Sequence, residues 1–434
     1  MTFNVKLVGE NLRVDEMYIN RHISKVVERQ QKRRAAIILT GPRRVGKSTM
    51  LKTILKPHGV GYISLNTPVT YTSAIENPSG FLEFNKAPII IDEIQKAPKL
   101  FEYIKEIVDD NGKKGQYYLT GSQSFRLMKG ITESLAGRAG IISMLGLSLR
   151  EISNIDYTEP FVPTDKHFKD VNQFKTEHSY TDIVEIIHRG SFPELYETLS
   201  ETRDPEAELT DWGDFYGSYL QSYVEKDVRD ITNVQNMTAF IKFIKAVAAL
   251  SGELLNYTTL AEICGMDVNT TKRWLSILET SGLVYILQPY YNNLKKRLIK
   301  TPKIYFLDTG LLCFLNGWNT PQQLITGARW GHIFETYVVS EILKSYYNDG
   351  VLYPPLLFYR DKEQNEIDLI IESGSTIYPI EIKTSSDPNK SMVKRFEILK
   401  NVSEKQIGPG ALICLSKNLL PLTDNVMIVP VDRI

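Results

Sequence analysis

Gly41-Pro-Arg-Arg-Val-Gly-Lys-Ser48 is the stretch on which the reading of this chain turns. It matches G-x-x-x-x-G-K-[ST] at every fixed position, after the apolar run Ala35 to Thr40 and at the opening of a helical stretch. In such a loop the backbone amides wrap a phosphate, the lysine reaches the β and γ oxygens, and the hydroxyl ligates Mg²⁺. Gly41, Pro42, Arg43, Arg44, Val45, Gly46, Lys47, Ser48 and Thr49 are thus the expected nucleotide contacts. The implied cofactors are ATP and Mg²⁺.

Outward from that loop, Ile89-Ile-Ile-Asp92-Glu93 reads as a buried strand ending in two acids. Asp92 is expected in the Mg²⁺ shell, and Glu93 is placed to orient or activate the attacking water. The strand Tyr117 to Thr120 leads into Gly121-Ser122-Gln123, where Ser122 is the candidate sensor of the γ-phosphate and an ordinary turn is the alternative. No Asn-Lys-x-Asp signature occurs, so ATP is preferred to GTP.

Composition sets the class. The 434 residues exceed one hydrophobic core, and 42% hydrophobic with 24% charged residues describes a globular chain of several domains. Lys and Arg balance Asp and Glu at 51 each, so any nucleic-acid contact must come from local basic patches. Cys264, Cys313 and Cys414 are too scattered for a disulfide framework or a cysteine zinc site. The start lacks a signal-peptide plan and no apolar run approaches a membrane span, so a cytoplasmic protein without membrane partners is expected.

The fold class predicted is α/β and multidomain. Residues 1–150 form a P-loop core, a parallel sheet flanked by helices, with strands at Ala35 to Thr40, Ala87 to Ile91, Tyr117 to Thr120 and Gly140 to Met144. A basic helical stretch, Arg21 to Arg34, precedes the first strand and turns Ile23, Val26 and Val27 inward. Residues 151–250 read as a helical lid. Residues 251–300 read as a winged helix-turn-helix: one helix with Leu260, Ala261 and Ile263 on its apolar face, a turn at Gly265, then a second helix capped by Asn269. Trp274, Leu275 and Leu278 pack this second helix, and Leu283 to Leu287 forms the wing. Its Thr270, Thr271, Lys272 and Arg273, with the cluster Lys295, Lys296 and Arg297, are placed where such a module meets DNA. Arg29, Lys32, Arg33 and Arg34 are the alternative basic surface.

Gly41 to Thr49, Ile89 to Gln95, Leu119 to Ser124 and Ser134-Leu-Ala-Gly-Arg138 resemble a large family of bacterial and archaeal AAA+ ATPases. The C-terminal half of that family is catalogued as a domain of unknown function. The resemblance runs on through Gly190-Ser-Phe-Pro-Glu194, Tyr223 to Arg229, the helix-turn-helix and Glu366-Ile-Asp-Leu369, nearly the whole chain. It implies an AAA+ core, a homo-oligomer (a ring or hexamer among the options) and an arginine finger reaching a neighbouring subunit. Arg138 and Arg229 are the two candidates, with a structural ion pair as the alternative for either.

Residues 301–434 carry a second constellation. Asp368 and Glu381-Ile-Lys383 fall on successive strands, and Glu381 and Lys383, two apart, share one strand face. Upstream, Gly331-His-Ile-Phe-Glu335 opens a helix packed through Val338, Val339, Ile342 and Leu343. Glu335, Asp368, Glu381 and Lys383 together resemble the restriction-endonuclease-like fold, in which carboxylates hold Mg²⁺ and the lysine positions water for phosphodiester hydrolysis. Ile367 stands where some such families have proline. Two functions are therefore in play: an ATP-hydrolysing, DNA-associated enzyme with a metal-dependent nuclease domain, or a regulatory ATPase switch that binds a protein partner and keeps only the nuclease-like fold.

Overall fold

A computed structural model describes residues 18–121, 134–174, 178–197, 204–224, 237–292 and 300–434. Of the residues singled out above, Ser122, Arg229, Lys295, Lys296 and Arg297 lie outside this set. Helix α1 (Ser24–Gln31) buries Val26 and Val27, with Ile23 buried just before it. It leads to β1 (Ala36–Thr40), whose five residues are all buried, as an unbroken apolar run in a sheet covered on both faces should be. The loop then enters α2 (Lys47–Leu55).

Strand β1 is one of five parallel strands, with β2 (Gly61–Ser64), β3 (Ile89–Asp92), β4 (Tyr117–Thr120) and β5 (Ala139–Ser143) in the order β2-β3-β4-β1-β5. Inserting β4 between β1 and β3 brings the C-terminal ends of these three strands together. Helices cover both faces: Ile37 and Leu39 join one core, while Ala36 and Ile38 join another with Leu100, Phe101 and Ile104 of α3 (Leu100–Asn111). Strand β2 went unread in the sequence because Gly61-Tyr-Ile-Ser64 is an edge strand with no fully buried residue.

The next region is mostly helical, as expected, and includes α4 (Tyr180–Arg189), α5 (Pro205–Tyr223) and α6 (Met237–Ala249). Phe192, Trp212, Phe215, Tyr216 and Tyr219 form a continuous aromatic cluster there. Helices α7 (Tyr257–Cys264) and α8 (Val268–Thr280) follow, and β7 (Val284–Pro289) stands where the sequence placed a wing. Two details differ from expectation. Asp267 caps α8, its carboxylate accepting the Thr270 N–H at 2.9 Å, and Asn269 sits inside the helix. The buried face of α7 is Leu260, Ala261 and Cys264, while Ile263 is 50% exposed because the helix starts at Tyr257 and turns that position outward.

Strand β7 pairs antiparallel with β8 (Lys303–Phe306), which in turn pairs with β6 (Glu253–Leu254). The other edge of β7 pairs with β9 (Leu356–Arg360), so this strand leads directly into the C-terminal sheet. The boundary expected at residue 300 falls inside this paired unit. Helix α9 (Trp330–Asn348) lies between, and β10 (Glu366–Ser373) and β11 (Thr376–Lys383) form a hairpin. Strands β12 (Gln406–Ile407), β13 (Gly410–Cys414), β14 (Leu420–Thr423) and β15 (Val426–Pro430) complete a sheet of ten strands among the described residues. No helix among them is long and apolar enough to cross a membrane, and all three cysteines are buried and free.

Candidate functional sites: a phosphate loop and a buried acidic centre

The loop from Gly41 to Ser48 takes backbone angles that its glycines make possible. Gly41 has φ +138°, and a Cβ there would stand 2.0 Å from the Met144 carbonyl oxygen, which excludes every other residue. Gly46 (φ +88°) ends the loop in the left-handed region and starts α2. The first-turn amides of α2, which have no intrahelical acceptors, thus begin where the loop ends, the arrangement that binds phosphate. Lys47 folds back over the loop, donating to the carbonyls of Gly41 at 2.9 Å and Pro42 at 2.6 Å.

Asp92, at the end of β3, is the hub of the site. Ser48 donates to its Oδ1 at 2.5 Å, Thr120 donates to the same oxygen from the end of β4, and Tyr62 reaches Oδ2 at 3.3 Å and Ser64 at 3.4 Å from β2. The two side chains expected to hold Mg²⁺ thus touch, so the donor set fits a nucleotide-bound magnesium ion. Burial, and then the Asp92 charge, raise the Tyr62 phenol above its usual range. Glu93 follows in a left-handed conformation (φ 60°), and its Oε2 accepts from the Gln95 side chain. The roles of Thr120, Tyr62 and Gln95 carry no motif in the sequence; the position of Gln95 two residues past Glu93 is the available clue.

The loop is braced from behind. Arg21, 4% exposed, donates to the carbonyls of Val45 at 2.7 Å and Leu145 at 2.8 Å and pairs with Glu151 at 3.1 Å. Burial pushes the Glu151 carboxyl up, but Arg21, His22 and the Ser148 N–H outweigh it and hold it below its usual range. Arg44 reaches out to Ser218 at 3.1 Å and lies over the Phe215 ring, joining the loop to α5. Arg138 is engaged within its own chain by a two-point ion pair with Asp109.

Residues 33–153 match the AAA domain family, residues 180–322 a domain of unknown function (DUF8612), and residues 330–434 a domain of unknown function (DUF4143). The chain therefore carries an AAA domain with a phosphate loop, and a C-terminal DUF4143 domain. It is 27% identical over 433 residues to uncharacterized proteins of Mycobacterium tuberculosis and Mycobacterium bovis, covering 99% of this chain and 88% of each of theirs. Among solved structures it is similar to the Walker-type ATPase PABY2304 of Pyrococcus abyssi, at 15% identity and TM-score 0.43, covering 69% of this chain and 96% of that one. It is also similar to the RuvB Holliday junction branch migration motor of Thermotoga maritima, at 16% identity and TM-score 0.27, covering 61% and 86%.

The DUF4143 domain holds the second site. Leu369 pairs with Ile380 across the β10–β11 hairpin, and the same register carried one step further sets Asp368 beside Glu381. A bulge between Ile367 and Ile370 interrupts β10 against β9, and there the Asp368 carboxylate accepts the Ile382 N–H at 2.8 Å. Lys383 donates to Glu381 at 2.6 Å and to Asp368 at 3.4 Å. Glu335, from the first turns of α9, has one oxygen within 4.8 Å of oxygens of Glu366 and Asp368. All four residues named from the sequence therefore gather around one corner of the sheet.

Three further residues enter this centre. Lys303, on β8, donates to Glu335 at 2.8 Å and to Glu366, and Tyr305 donates to Glu335 at 2.6 Å. Burial would lower the Lys303 ammonium, but Tyr305, Glu335, Glu366 and Asp368 hold it well above its usual range. Burial and then Asp368 push Glu381 up to about 8, and its Oε2 is buried with no hydrogen-bond partner among the described residues. An orphaned carboxylate oxygen beside a second carboxylate fits a divalent cation as its missing partner.

In the helix-turn-helix, Lys272 and Arg273 are exposed near the start of α8, with Lys272 above the Tyr257 ring at 5.4 Å. Thr270 is half-buried and Thr271 fully buried, so Thr271 packs inward and presents nothing to a ligand.

Proposed function

We propose that this chain hydrolyses ATP and acts on DNA, with the acidic centre of the DUF4143 domain as a metal-dependent phosphodiesterase site. The observation that carries this reading is the convergence of Asp368, Glu381 and Lys383, with Glu335 beside them, on one bulged hairpin. Two carboxylates hold a divalent ion, which when bound would offset the charge of a phosphodiester. Lys383, with 36% of its side chain exposed, stands at the mouth between both carboxylates and would orient the attacking water through its ammonium protons. The exposed Lys272 and Arg273 would neutralise backbone phosphates.

In the AAA domain, Ser48 and Asp92 would hold the magnesium ion, Lys47 would leave its loop carbonyls for the γ-phosphate, and Glu93 would take the proton of the attacking water. Such domains complete their sites between subunits, and an oligomer with Arg138 of each subunit serving its neighbour belongs to this reading. That role requires Arg138 to leave Asp109.

A second reading is favoured by Lys303. A buried ammonium among the carboxylates offsets part of their charge, so the centre would equally serve as a structural ion cluster in a regulatory ATPase that binds a protein partner. Cleavage of linear, forked and four-way DNA with Mg²⁺ or Mn²⁺ separates the two. Cutting by the wild type that is lost in Asp368→Asn supports the phosphodiesterase; intact DNA on every substrate, with ATP turnover preserved, supports the switch.

A further inference from the structure

We infer that Lys303 is a resident cation of the acidic centre, so that the site takes one divalent ion and not two. This rests on the reading of Asp368 and Glu381 as a metal-holding pair. Among the described residues four carboxylates meet there, Glu335, Glu366, Asp368 and Glu381, and three cations are ion-paired with them: Lys303, Lys383 and Arg360. With all four ionised, as ligation of a cation requires, one formal negative charge is left over. A single divalent ion reverses it to one positive charge, and a second ion would leave three positive charges in a largely buried site. Repulsion at short range in a poorly solvated place opposes that second ion strongly.

The hydrogen bonds say which carboxylates remain open. Both oxygens of Glu366 are engaged, Oε1 by Lys303 and Oε2 by Arg360 at 2.6 Å. Glu335 Oε1 is shared between Lys303 at 2.8 Å and Tyr305 at 2.6 Å. Glu381 Oε2 has no such partner among the described residues. The open side of the cluster therefore faces Asp368 and Glu381, and the closed side is the one Lys303 occupies.

The two lysines differ in freedom. Lys383 exposes 36% of its side chain at the mouth and is able to swing toward solvent. Lys303 exposes 3%, and its strand is fixed on both edges, by β6 through Leu254 and by β7 through Leu287. It comes from β8 and not from the strands that bear the carboxylates. An ammonium held this way takes the place a second metal ion would fill and cannot leave to admit one. Lys303 is thus a positioning residue: it fixes Glu335 and Glu366 and limits the site to one ion.

The test is a count of Mn²⁺ bound by the full-length, nucleotide-free chain, read from the electron paramagnetic resonance of free Mn²⁺. Wild type should bind one ion more than Asp368→Asn. Lys303→Met, close in shape but uncharged, should bind two more than Asp368→Asn, and Lys303→Arg should return to one. Two ions in the wild type, or the same count in Lys303→Met as in the wild type, would overturn the inference. The wild-type count stands even if Lys303→Met folds poorly, which its melting temperature and nucleotide binding would reveal. Should no protein exceed Asp368→Asn, the metal-holding reading falls and this inference with it. Should the counts be as expected and DNA stay uncut, the phosphodiesterase reading alone falls.

Discussion

Ser48 and Asp92, 44 residues apart in sequence, share a hydrogen bond of 2.5 Å at the mouth of the phosphate loop. Two side chains that are to share a metal must be within reach of each other before it arrives, and here the order β3-β4-β1 with the loop leaving β1 into α2 achieves that. Lys47→Ala should lower affinity for a fluorescent ATP analogue about tenfold or more, with or without Mg²⁺, since it removes the ammonium that would pair with the β and γ phosphates. Asp92→Asn should keep the Mg²⁺-free affinity and lose the enhancement by Mg²⁺. Equal Mg²⁺ dependence in Asp92→Asn and wild type would remove Asp92 from the site.

Gln95 holds the Glu93 carboxylate through Oε2. Glu93→Gln should slow steady-state ATP turnover about a hundredfold with nucleotide affinity unchanged, because an amide cannot take the water's proton. Gln95→Ala leaves the base but frees its orientation, so kcat should fall about tenfold at unchanged affinity. Unaltered kcat in Gln95→Ala would assign that hydrogen bond to folding alone.

Helix α9 ties the two sites together structurally. It carries Glu335 at one end, and further along Glu341 accepts the Leu149 N–H at 2.7 Å while Lys344 donates to the Leu147 carbonyl at 2.9 Å, just beyond β5. Glu341 and Lys344 are paired at 2.7 Å with 5% and 4% of their side chains exposed. Glu341→Ala would strand a buried ammonium and a buried N–H, so a loss on the order of 3 kcal/mol is expected. Thermal unfolding of variant and wild type checks this. An unchanged melting temperature would mean that the helix is not anchored there.

Acid should destabilise the protein before most carboxylates titrate. Burial pushes His167 down from 6.5 to about 3 and His188 to about 4. The unfolded chain takes up these protons below about pH 6.5 and the folded chain does not, so their stabilising contribution is complete above 6.5 and drains away toward pH 4. Melting temperature measured from pH 7.5 to 4 should fall through that window, and His167→Leu should flatten the fall. A profile flat to pH 5 would contradict the buried, neutral state of these rings.

Most of the nucleotide site could be read from the sequence because a phosphate loop is local: Gly41 to Ser48 carries its own geometry, and Asp92 ends an obvious buried strand. The acidic centre was partly legible for the same reason, since Glu381 and Lys383 share a strand face at a spacing of two. Lys303 was not, because its nearness to Glu335 and Glu366 depends on which strands pair with β7, a long-range choice with no local signal. Asp267 and Asn269 compete for the cap at that turn, and only the backbone decides that Asp267 wins. Edge strands β2 and β14 escaped for want of buried alternation.

Electrostatics bears on the helix-turn-helix. Replacing Lys272 and Arg273 together with alanine should weaken binding to a labelled duplex and reduce the magnitude of its salt dependence by about two phosphate contacts. An unaltered salt slope in the folded variant would move the contact surface elsewhere, for instance to Arg29, Lys32, Arg33 and Arg34.

The central claim is that ATP hydrolysis in this chain serves an action on DNA, and ATP turnover measured with and without DNA tests it most directly. Single-stranded, double-stranded and branched DNA should be compared at low and moderate salt, with Glu93→Gln as the background. The account predicts turnover raised several-fold by at least one of these DNAs, with the stimulation fading as salt rises and absent from the Lys272, Arg273 double variant. Brisk turnover indifferent to every DNA at every salt would contradict it.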